Sequence, residues 1–166
     1  SITSGKKFYM VKPENQIEKY AFLMLYEHDF EMALQTIKTL DDHENNNVRY
    51  PLLRDIVVTY CRPFTESNGI AINKDFHGIK KFPNEQMKLL HSKLLTLRKE
   101  LFAHTDLTYK NPKISNWSTD ERKWFPMSFK GYDYELLNNE LPNILNLINY
   151  VQTDLKEKLA LYEKNF

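Results

Sequence analysis

The sequence predicts an all-α protein: an antiparallel bundle of four or five helices with two long connecting loops and a candidate short strand pair. Three observations support this prediction. Apolar residues recur at spacings of three and four along every long segment, which is the helical period. Only 4 Gly and 7 Pro occur in 166 residues, which disfavours a loop-rich β-sandwich. Hydrophobic residues make up 42% of the chain, enough to form a buried core.

Length and composition narrow the class of protein further. A chain of 166 residues suits one domain, which we take as residues 1–166. The 23 basic and 22 acidic residues are balanced and give no support to strong non-specific nucleic-acid binding. The one cysteine, Cys61, excludes an intramolecular disulfide, argues against a Cys-based metal site and is expected to be a core thiol. No metal-ligand or phosphate-loop motif occurs, so we predict no metal and no cofactor.

Two helices are predicted in the first third of the chain. Glu14–Leu40 carries apolar residues at helical spacing, but their register shifts midway, so one bent helix or two helices fit. A polar linker separates this segment from a second predicted helix, Val48–Cys61, whose wide apolar face indicates deep burial. Arg62-Pro63 ends that helix. The short apolar segment Phe8–Val11 is expected to lie extended against the core.

A third helix follows a long connection, Phe64–Pro83, and connections of this length are often functional. The helix is predicted to begin at Pro83 or Asn84. Its apolar residues are spaced alternately by three and four positions, which indicates a seam that faces the core. The seam consists of Met87, Leu90, Leu94, Leu97, Leu101 and His104.

The second long connection, Thr105–Asp133, is rich in aromatic residues. Its Trp and Phe side chains are expected to pack down on the core, and Phe125–Phe129 is a candidate short strand. The last helix is predicted to begin at Asp133 or Tyr134. Because Pro142 lacks a backbone N–H, it either kinks this helix or marks its true start.

The segment Arg98-Lys-Glu-Leu-Phe-Ala-His104 concentrates more chemistry than any other part of the chain. A guanidinium can stabilise a phosphate that is gaining charge, and neutral His is the side chain best suited to move a proton near pH 7. Both residues stand where the third helix is predicted to end. Arg98 and His104 are therefore the candidate catalytic residues.

These two side chains cannot form one site on a straight helix. Six positions at roughly 100° each place them about 120° apart around the helix axis. Either the helix distorts near Ala103, or each residue meets a partner from elsewhere. In a two-fold dimer, Arg98 of one chain can approach His104 of the other. The alternative without a catalytic role is that His104 ends the core seam while Arg98 pairs with a surface acid.

Four further residues are candidate supporting groups. Glu100 stands four positions before His104, where on a helix its carboxylate can orient the imidazole. Asp106 can contact the same imidazole or cap the turn, and Tyr109 can stack on a base. Arg54 adds a positive charge to the same cleft if the second and third helices are neighbours. Each also has an ordinary alternative as a helix-end, loop or solvated surface residue.

The motif at the end of a long helix resembles the Arg-x(4–6)-His signature of HEPN domains. The likeness includes Arg54-Asp55 in an apolar helix, then a long loop, then Leu97–Asp106, as in HEPN-like proteins of bacterial abortive-infection and toxin–antitoxin loci. The resemblance implies a metal-independent ribonuclease that dimerises, so that two Arg/His pairs line one cleft. It implies attack by a ribose 2′-hydroxyl on the adjacent phosphate, with His104 as general base or acid and Arg98 stabilising the charged transition state.

Two positions differ from the family pattern. Lys99 directly follows the arginine, where many members have Asn. The stretch His104-Thr-Asp106 stands where toxins paired with a nucleotidyltransferase antitoxin often carry His-x-Tyr, which argues against that particular partner.

We therefore predict an endoribonuclease of a bacterial defence or toxin–antitoxin system, with RNA as substrate, a homodimeric state and an antitoxin protein as candidate partner. The alternative is a non-catalytic domain of the same fold, which binds a protein through Trp117–Phe129 or a nucleotide between Arg98 and Arg54 or Arg62. Residues 1–12 lack the apolar run of a signal peptide, and no stretch is apolar enough to span a membrane. We expect a cytoplasmic protein.

Overall fold

Four long helices dominate the structure, a computed structural model that describes residues 14–65, 82–103 and 107–166. The prediction of an all-α fold with a short strand pair is confirmed, whereas the predicted segment Phe8–Val11 lies outside the described residues. None of the helices in the described ranges is long and apolar enough to cross a membrane. The elements in chain order are α1 (Glu14–Leu40), α2 (Asn46–Cys61), a 3-10 turn (Arg62–Phe64), α3 (Glu85–Leu97), a π turn (Arg98–Phe102), α4 (Leu107–Lys110), β1 (Lys113–Ile114), β2 (Met127–Ser128) and α5 (Glu135–Lys164).

Helices α1 and α5 pack against each other in opposite directions. Near the start of α1, the Tyr20 hydroxyl donates a hydrogen bond to Glu163 Oε1, close to the end of α5, at 2.8 Å. Further along α1, the side chains of Glu27 and Glu31 accept from Gln152 Nε2 at 3.2 and 3.0 Å. Residue numbers therefore rise along α1 as they fall along α5. Gln152 is buried, and these two carboxylates accept the hydrogen bonds of its amide nitrogen.

Helices α1 and α2 form an antiparallel hairpin. The Thr36 hydroxyl of α1 donates to Asp55 Oδ2 of α2 at 3.2 Å. Arg62, just after α2, forms a salt bridge with Asp29 at 3.3 Å. Helix α1 is continuous over Glu14–Leu40, so the shift in apolar register falls within one helix and not between two.

The Arg49 guanidinium joins three segments at one end of the bundle. Nη1 donates to the backbone oxygens of Leu40 and His43 at 2.6 and 2.9 Å, and Nη2 donates to Asn138 Oδ1 at 2.7 Å. The last carbonyls of a helix have no partner within that helix, and Arg49 donates a hydrogen bond to one of them, the carbonyl of Leu40.

The core is one apolar cluster to which all four long helices contribute. The predicted seam of α3 is confirmed for Leu90, Leu94 and Leu97, which are buried, while Met87 and Leu101 are half-buried against the cluster. The helix begins at Glu85, directly after the predicted start at Pro83 or Asn84, and Asn84 caps it because its Oδ1 accepts from Met87 N at 2.8 Å. The largest fully buried side chains are Phe30, Tyr60, Leu23, Leu40, Leu53, Ile56, Leu94, Leu137, Ile144, Leu147 and Ile148.

Helix α5 begins at Glu135, so the alternative in which Pro142 marks its true start is wrong. The helix continues through Pro142, which lacks the N–H that would bond to the carbonyl of Asn138. Tertiary packing outweighs that loss, because the predicted apolar seam is buried on both sides of the proline. Its buried members are Leu137, Ile144, Ile148, Val151 and Leu155.

The aromatic side chains of the second long connection do not pack on the core, so that prediction is wrong. Trp117 is 62% exposed and Trp124 is 52% exposed, and Phe125 and Phe129 are also more than half exposed. Backbone hydrogen bonds extend the β1–β2 pairing, with Trp117 N donating to Trp124 O at 2.9 Å. The hairpin pairs its own backbone groups, so they need no partners from the helices. The candidate strand Phe125–Phe129 does contain β2.

Candidate functional site

The motif arginine lies where regular α-helix gives way to a π turn. Helix α3 ends at Leu97, and Arg98–Phe102 form a turn closed by a hydrogen bond from Ala103 N to Arg98 O at 2.8 Å. Distortion of the helix was one of the two arrangements predicted from the angle between Arg98 and His104. His104 itself lies outside the described residues. Single π turns occur frequently at functional sites.

The Arg98 guanidinium is partly buried and incompletely hydrogen-bonded. Its Nε is shielded from solvent and has no hydrogen-bond partner within the described ranges. A buried donor without a partner costs about 1–3 kcal/mol. No salt bridge joins Arg98 to an acid in that part of the chain. A phosphate is a strong acceptor for a guanidinium that is not paired with a carboxylate.

Arg98 lies close enough to Cys61 for its charge to act on the thiol. Cys61 is buried at the end of α2, as predicted for a core thiol. Burial raises the pKa of Cys61 to about 12, and the positive charge of Arg98 opposes part of that increase. The catalytic candidate therefore faces the C-terminal end of α2.

Alkylation of Cys61 by iodoacetamide is expected to be negligible in the folded protein at pH 8 and rapid in denaturant. Only the thiolate reacts, and a pKa of about 12 leaves roughly 10⁻⁴ of the thiol ionised at that pH. Mass spectrometry after timed exposure measures the labelled fraction, and every label reports on this residue because the chain has 1 Cys. Rapid labelling of the native protein would contradict the buried placement of Cys61.

A hydrogen-bonded pair beside Cys61, the buried Tyr60 and the half-buried His91, links α2 to α3. The Tyr60 hydroxyl and His91 Nδ1 lie 2.7 Å apart, and the rings of Phe64 and Phe82 pack on the imidazole with centroids 4.6 and 5.0 Å away. Burial raises the pKa of Tyr60 and lowers the pKa of His91 to about 4, so both groups are neutral at pH 7. In its Nε2–H tautomer, the imidazole accepts at Nδ1 the hydrogen bond that the Tyr60 hydroxyl donates.

The sequence prediction missed this pair. His91 stands seven positions before Arg98, on nearly the same face of the helix. Its partner Tyr60 is 31 positions away along the chain, beyond the reach of any local pattern. The available signal was a histidine within a row of apolar residues, which indicates a buried imidazole that needs a hydrogen-bond partner.

Acidification is expected to destabilise the protein through His91. The pKa of His91 is about 4 in the native state against 6.5 for an unperturbed His, so between these values the unfolded chain binds more protons. The free energy of unfolding should therefore fall as the pH decreases from 6.5 to about 4. Chemical denaturation at a series of pH values measures this slope.

The control for this prediction replaces both partners by apolar rings. The double variant Tyr60→Phe/His91→Phe leaves no unpaired hydroxyl, so the pair can be removed without a large penalty. Its unfolding free energy should depend less on pH over the same window. An unchanged slope would show that other groups cause the pH dependence.

The structure locates only some of the predicted supporting residues. Glu100 is half-buried in the same π turn as Arg98. Tyr109 lies in α4, with Lys130 Nζ 4.5 Å from its ring centroid. Arg54 is exposed on α2. Asp106 lies outside the described residues.

Aromatic rings hold the π turn against the start of α5. Phe102 stacks on Tyr134 with centroids 6.0 Å apart and meets Tyr132 edge-on at 5.8 Å. Burial raises the pKa of Tyr132 to about 12, and its buried hydroxyl has no hydrogen-bond partner in the described part of the chain. Two such unpaired polar groups, Arg98 Nε and Tyr132 Oη, therefore belong to the motif or contact it.

A separate cleft of about 300 Å³ opens between α3 and α5. Lys93 and Glu140 line it together with Asn and Gln side chains, and none of the described motif residues, 98–103, lines it. In the described ranges, no group of three or more His, Cys, Asp or Glu side chains is placed to hold a metal ion.

The fold and the site together define the class: a small helical-bundle protein with a partly buried arginine in a π turn at the end of one core helix. Comparisons of the chain with protein-family models, with curated proteins and with solved structures give no match. The likeness to HEPN domains therefore depends on the motif and its place at the end of α3.

Proposed function

We propose that the protein is a metal-independent endoribonuclease of a bacterial defence or toxin–antitoxin system, located in the cytoplasm. One observation carries the proposal: the arginine of the predicted motif lies in a π turn with a buried Nε that has no partner among the described residues. A cation that is kept partly out of water, and that pairs with no acid among the described residues, is suited to bind a phosphate group.

The proposed reaction uses the RNA's own hydroxyl as nucleophile. His104, acting as general base, removes the proton of a ribose 2′-hydroxyl, whose oxygen then attacks the adjacent phosphorus. The bond to the 5′-oxygen of the next nucleotide breaks, and that oxygen takes up a proton from a general acid, which in a dimer is the second His104. Arg98 stabilises the negative charge that develops on the phosphate oxygens. The products are a cyclic 2′,3′-phosphate and a free 5′-hydroxyl, and no metal is required.

The supporting residues have defined roles in this proposal. Glu100 and Asp106 are candidates to orient the imidazole of His104, and Arg54 adds positive charge near the RNA backbone. Tyr109 provides a ring on which a base can stack. A homodimer supplies a second Arg/His pair to the same cleft, and an antitoxin protein is the proposed inhibitor.

Cleavage of a mixed RNA pool by the purified protein in EDTA tests the proposal directly. A folded protein that leaves varied RNA intact would contradict it. Activity that disappears in EDTA would point to a metal-dependent reaction instead.

A non-catalytic interaction domain is the second candidate function, and the exposure of the aromatic connection favours it. Full burial of Trp117 and Trp124 would have removed this candidate, but both are more than half exposed. It predicts a stable complex with a protein and no turnover. The nucleotide-binding version has less support, because Arg62 is paired with Asp29 at 3.3 Å.

A further inference from the structure

Residues 107–131 form a self-contained unit, the aromatic hairpin. Lys130 N donates to Lys110 O at 2.8 Å and closes its base, while Thr119 N donates to Arg122 O at 2.8 Å and closes its tip. Between them, β1 and β2 pair in antiparallel register. The hairpin is therefore held together by its own backbone hydrogen bonds.

Exposed rings and cations alternate over this hairpin. The rings of Trp117 and Trp124 meet edge to face with centroids 5.4 Å apart. Arg122 Cζ lies 5.7 Å from the Trp124 centroid, and Lys110 Nζ lies 6.0 Å from that of Phe129. Each cation is close enough to an aromatic face to contact the phosphate of a base stacked there.

The charge of the aromatic hairpin differs from that of the rest of the chain. It contains five basic residues and two acidic ones, which leaves 18 basic and 20 acidic residues elsewhere. Exposed rings beside positive charge are typical of surfaces that bind single-stranded nucleic acid, where bases stack and phosphates pair with cations. Protein interfaces also use aromatic residues but are depleted in Lys, whereas four of these five basic residues are Lys.

We propose that the aromatic hairpin binds single-stranded RNA, with bases stacked on Trp117 and Trp124 and with Arg122 and Lys123 contacting phosphates. Binding of single-stranded nucleic acid by the hairpin does not depend on the catalytic motif. The choice of RNA over DNA rests on the proposed ribonuclease function.

Intrinsic fluorescence offers a direct test, because the chain has 2 Trp and both lie in the aromatic hairpin. The probe is a mixed-sequence 2′-O-methyl RNA of about 12 nucleotides, comparable to known single-strand site sizes. This oligonucleotide has no free 2′-hydroxyl and so cannot be cleaved by the proposed reaction. Titration should quench the Trp emission saturably, and added salt should weaken the binding.

Variants identify the rings and charges involved through the anisotropy of the labelled oligonucleotide. Trp124→Ala is expected to weaken binding by about 5- to 150-fold, whereas Trp124→Tyr, which retains a stacking ring, should keep most of the affinity. Lys123→Ala should reduce the salt dependence as well as the affinity. Leu161→Ala is the matched control, because it removes a large exposed apolar side chain from α5 and should change nothing.

Three results would overturn this assignment. The first is an absence of quenching and of anisotropy change at about 100 µM RNA, the weak limit of ordinary non-specific binding. The second is tighter binding of a DNA strand with the same sequence. The third is Trp emission that shifts with protein concentration without RNA, which would show that copies of the chain cover the surface.

Binding and cleavage are scored separately, so the two proposals can fail separately. Saturable binding by a wild-type chain that never cleaves RNA would remove the ribonuclease proposal and retain the strand-binding surface. Cleavage that persists in Trp124→Ala, together with no detectable binding at the hairpin, would remove the RNA-binding surface and retain the ribonuclease proposal.

Discussion

Replacement of Arg98 or of His104 by alanine is expected to lower the rate of RNA cleavage by at least about 100-fold. His104→Ala removes the group that moves the proton, and Arg98→Ala removes the charge that stabilises the phosphate in the transition state. The rate is measured on a labelled RNA in EDTA, with the cyclic phosphate end identified by mass spectrometry. Arg98→Lys should recover only part of the activity, because lysine lacks the planar fork of donors.

Matched controls separate loss of chemistry from loss of structure. Lys88→Ala removes an exposed cation from α3, the helix that precedes Arg98, and His28→Ala removes an exposed imidazole from α1, so both variants should cleave RNA normally. Circular dichroism and thermal melting check that each variant is folded. Normal cleavage by both motif variants would refute the mechanism.

Phe30→Ala is expected to lower the free energy of unfolding by about 3–5 kcal/mol. The Phe30 ring is fully buried and packs against Tyr60 and Phe64 with centroids 5.9 Å from each. Its removal leaves a cavity at the contact between α1 and the end of α2. Since the free energy of unfolding of a native protein is only about 5–15 kcal/mol, this loss would be a large fraction of it. Equilibrium denaturation in urea measures the change.

Leu25→Ala is the control on the same helix, because Leu25 is 58% exposed. It should shift the free energy of unfolding by no more than about 0.5 kcal/mol, as is usual for surface substitutions. A Phe30→Ala variant that matches this control would show that Phe30 is not a central core residue. The pair therefore tests the packing of α1 independently of any activity.

The helices were predictable because their sequence signals are local. The α3 seam of Leu90, Leu94 and Leu97 follows from helical periodicity, and the start of α3 beside Asn84 is marked by a side chain able to bond three residues ahead. The single domain over residues 1–166 remains a prediction, and so does the homodimer. An apolar seam has the same sequence pattern whether it lies in a core or in an interface.

The environment of the motif was not predictable from local patterns. The π turn at Arg98–Phe102 differs from an α-helix by one residue per hydrogen bond, and no periodic signal specifies it. The Tyr60–His91 contact joins helices α2 and α3, and the action of Arg98 on Cys61 depends on the same packing. The alternative that α5 starts at Pro142 was wrong for a related reason. Burial of the α5 seam depends on tertiary packing, and it outweighs the one hydrogen bond that Pro142 cannot form.

The aromatic connection shows most clearly where local patterns and tertiary structure separate. Residue order alone decides that Trp117 and Trp124 belong to a segment between helices, with a candidate strand near its end. Whether those rings cover the core or face solvent depends on how much core surface the four long helices leave open, a competition among residues far apart in the chain. The helices bury their seams against one another, and the hairpin closes on itself, so its rings stay exposed.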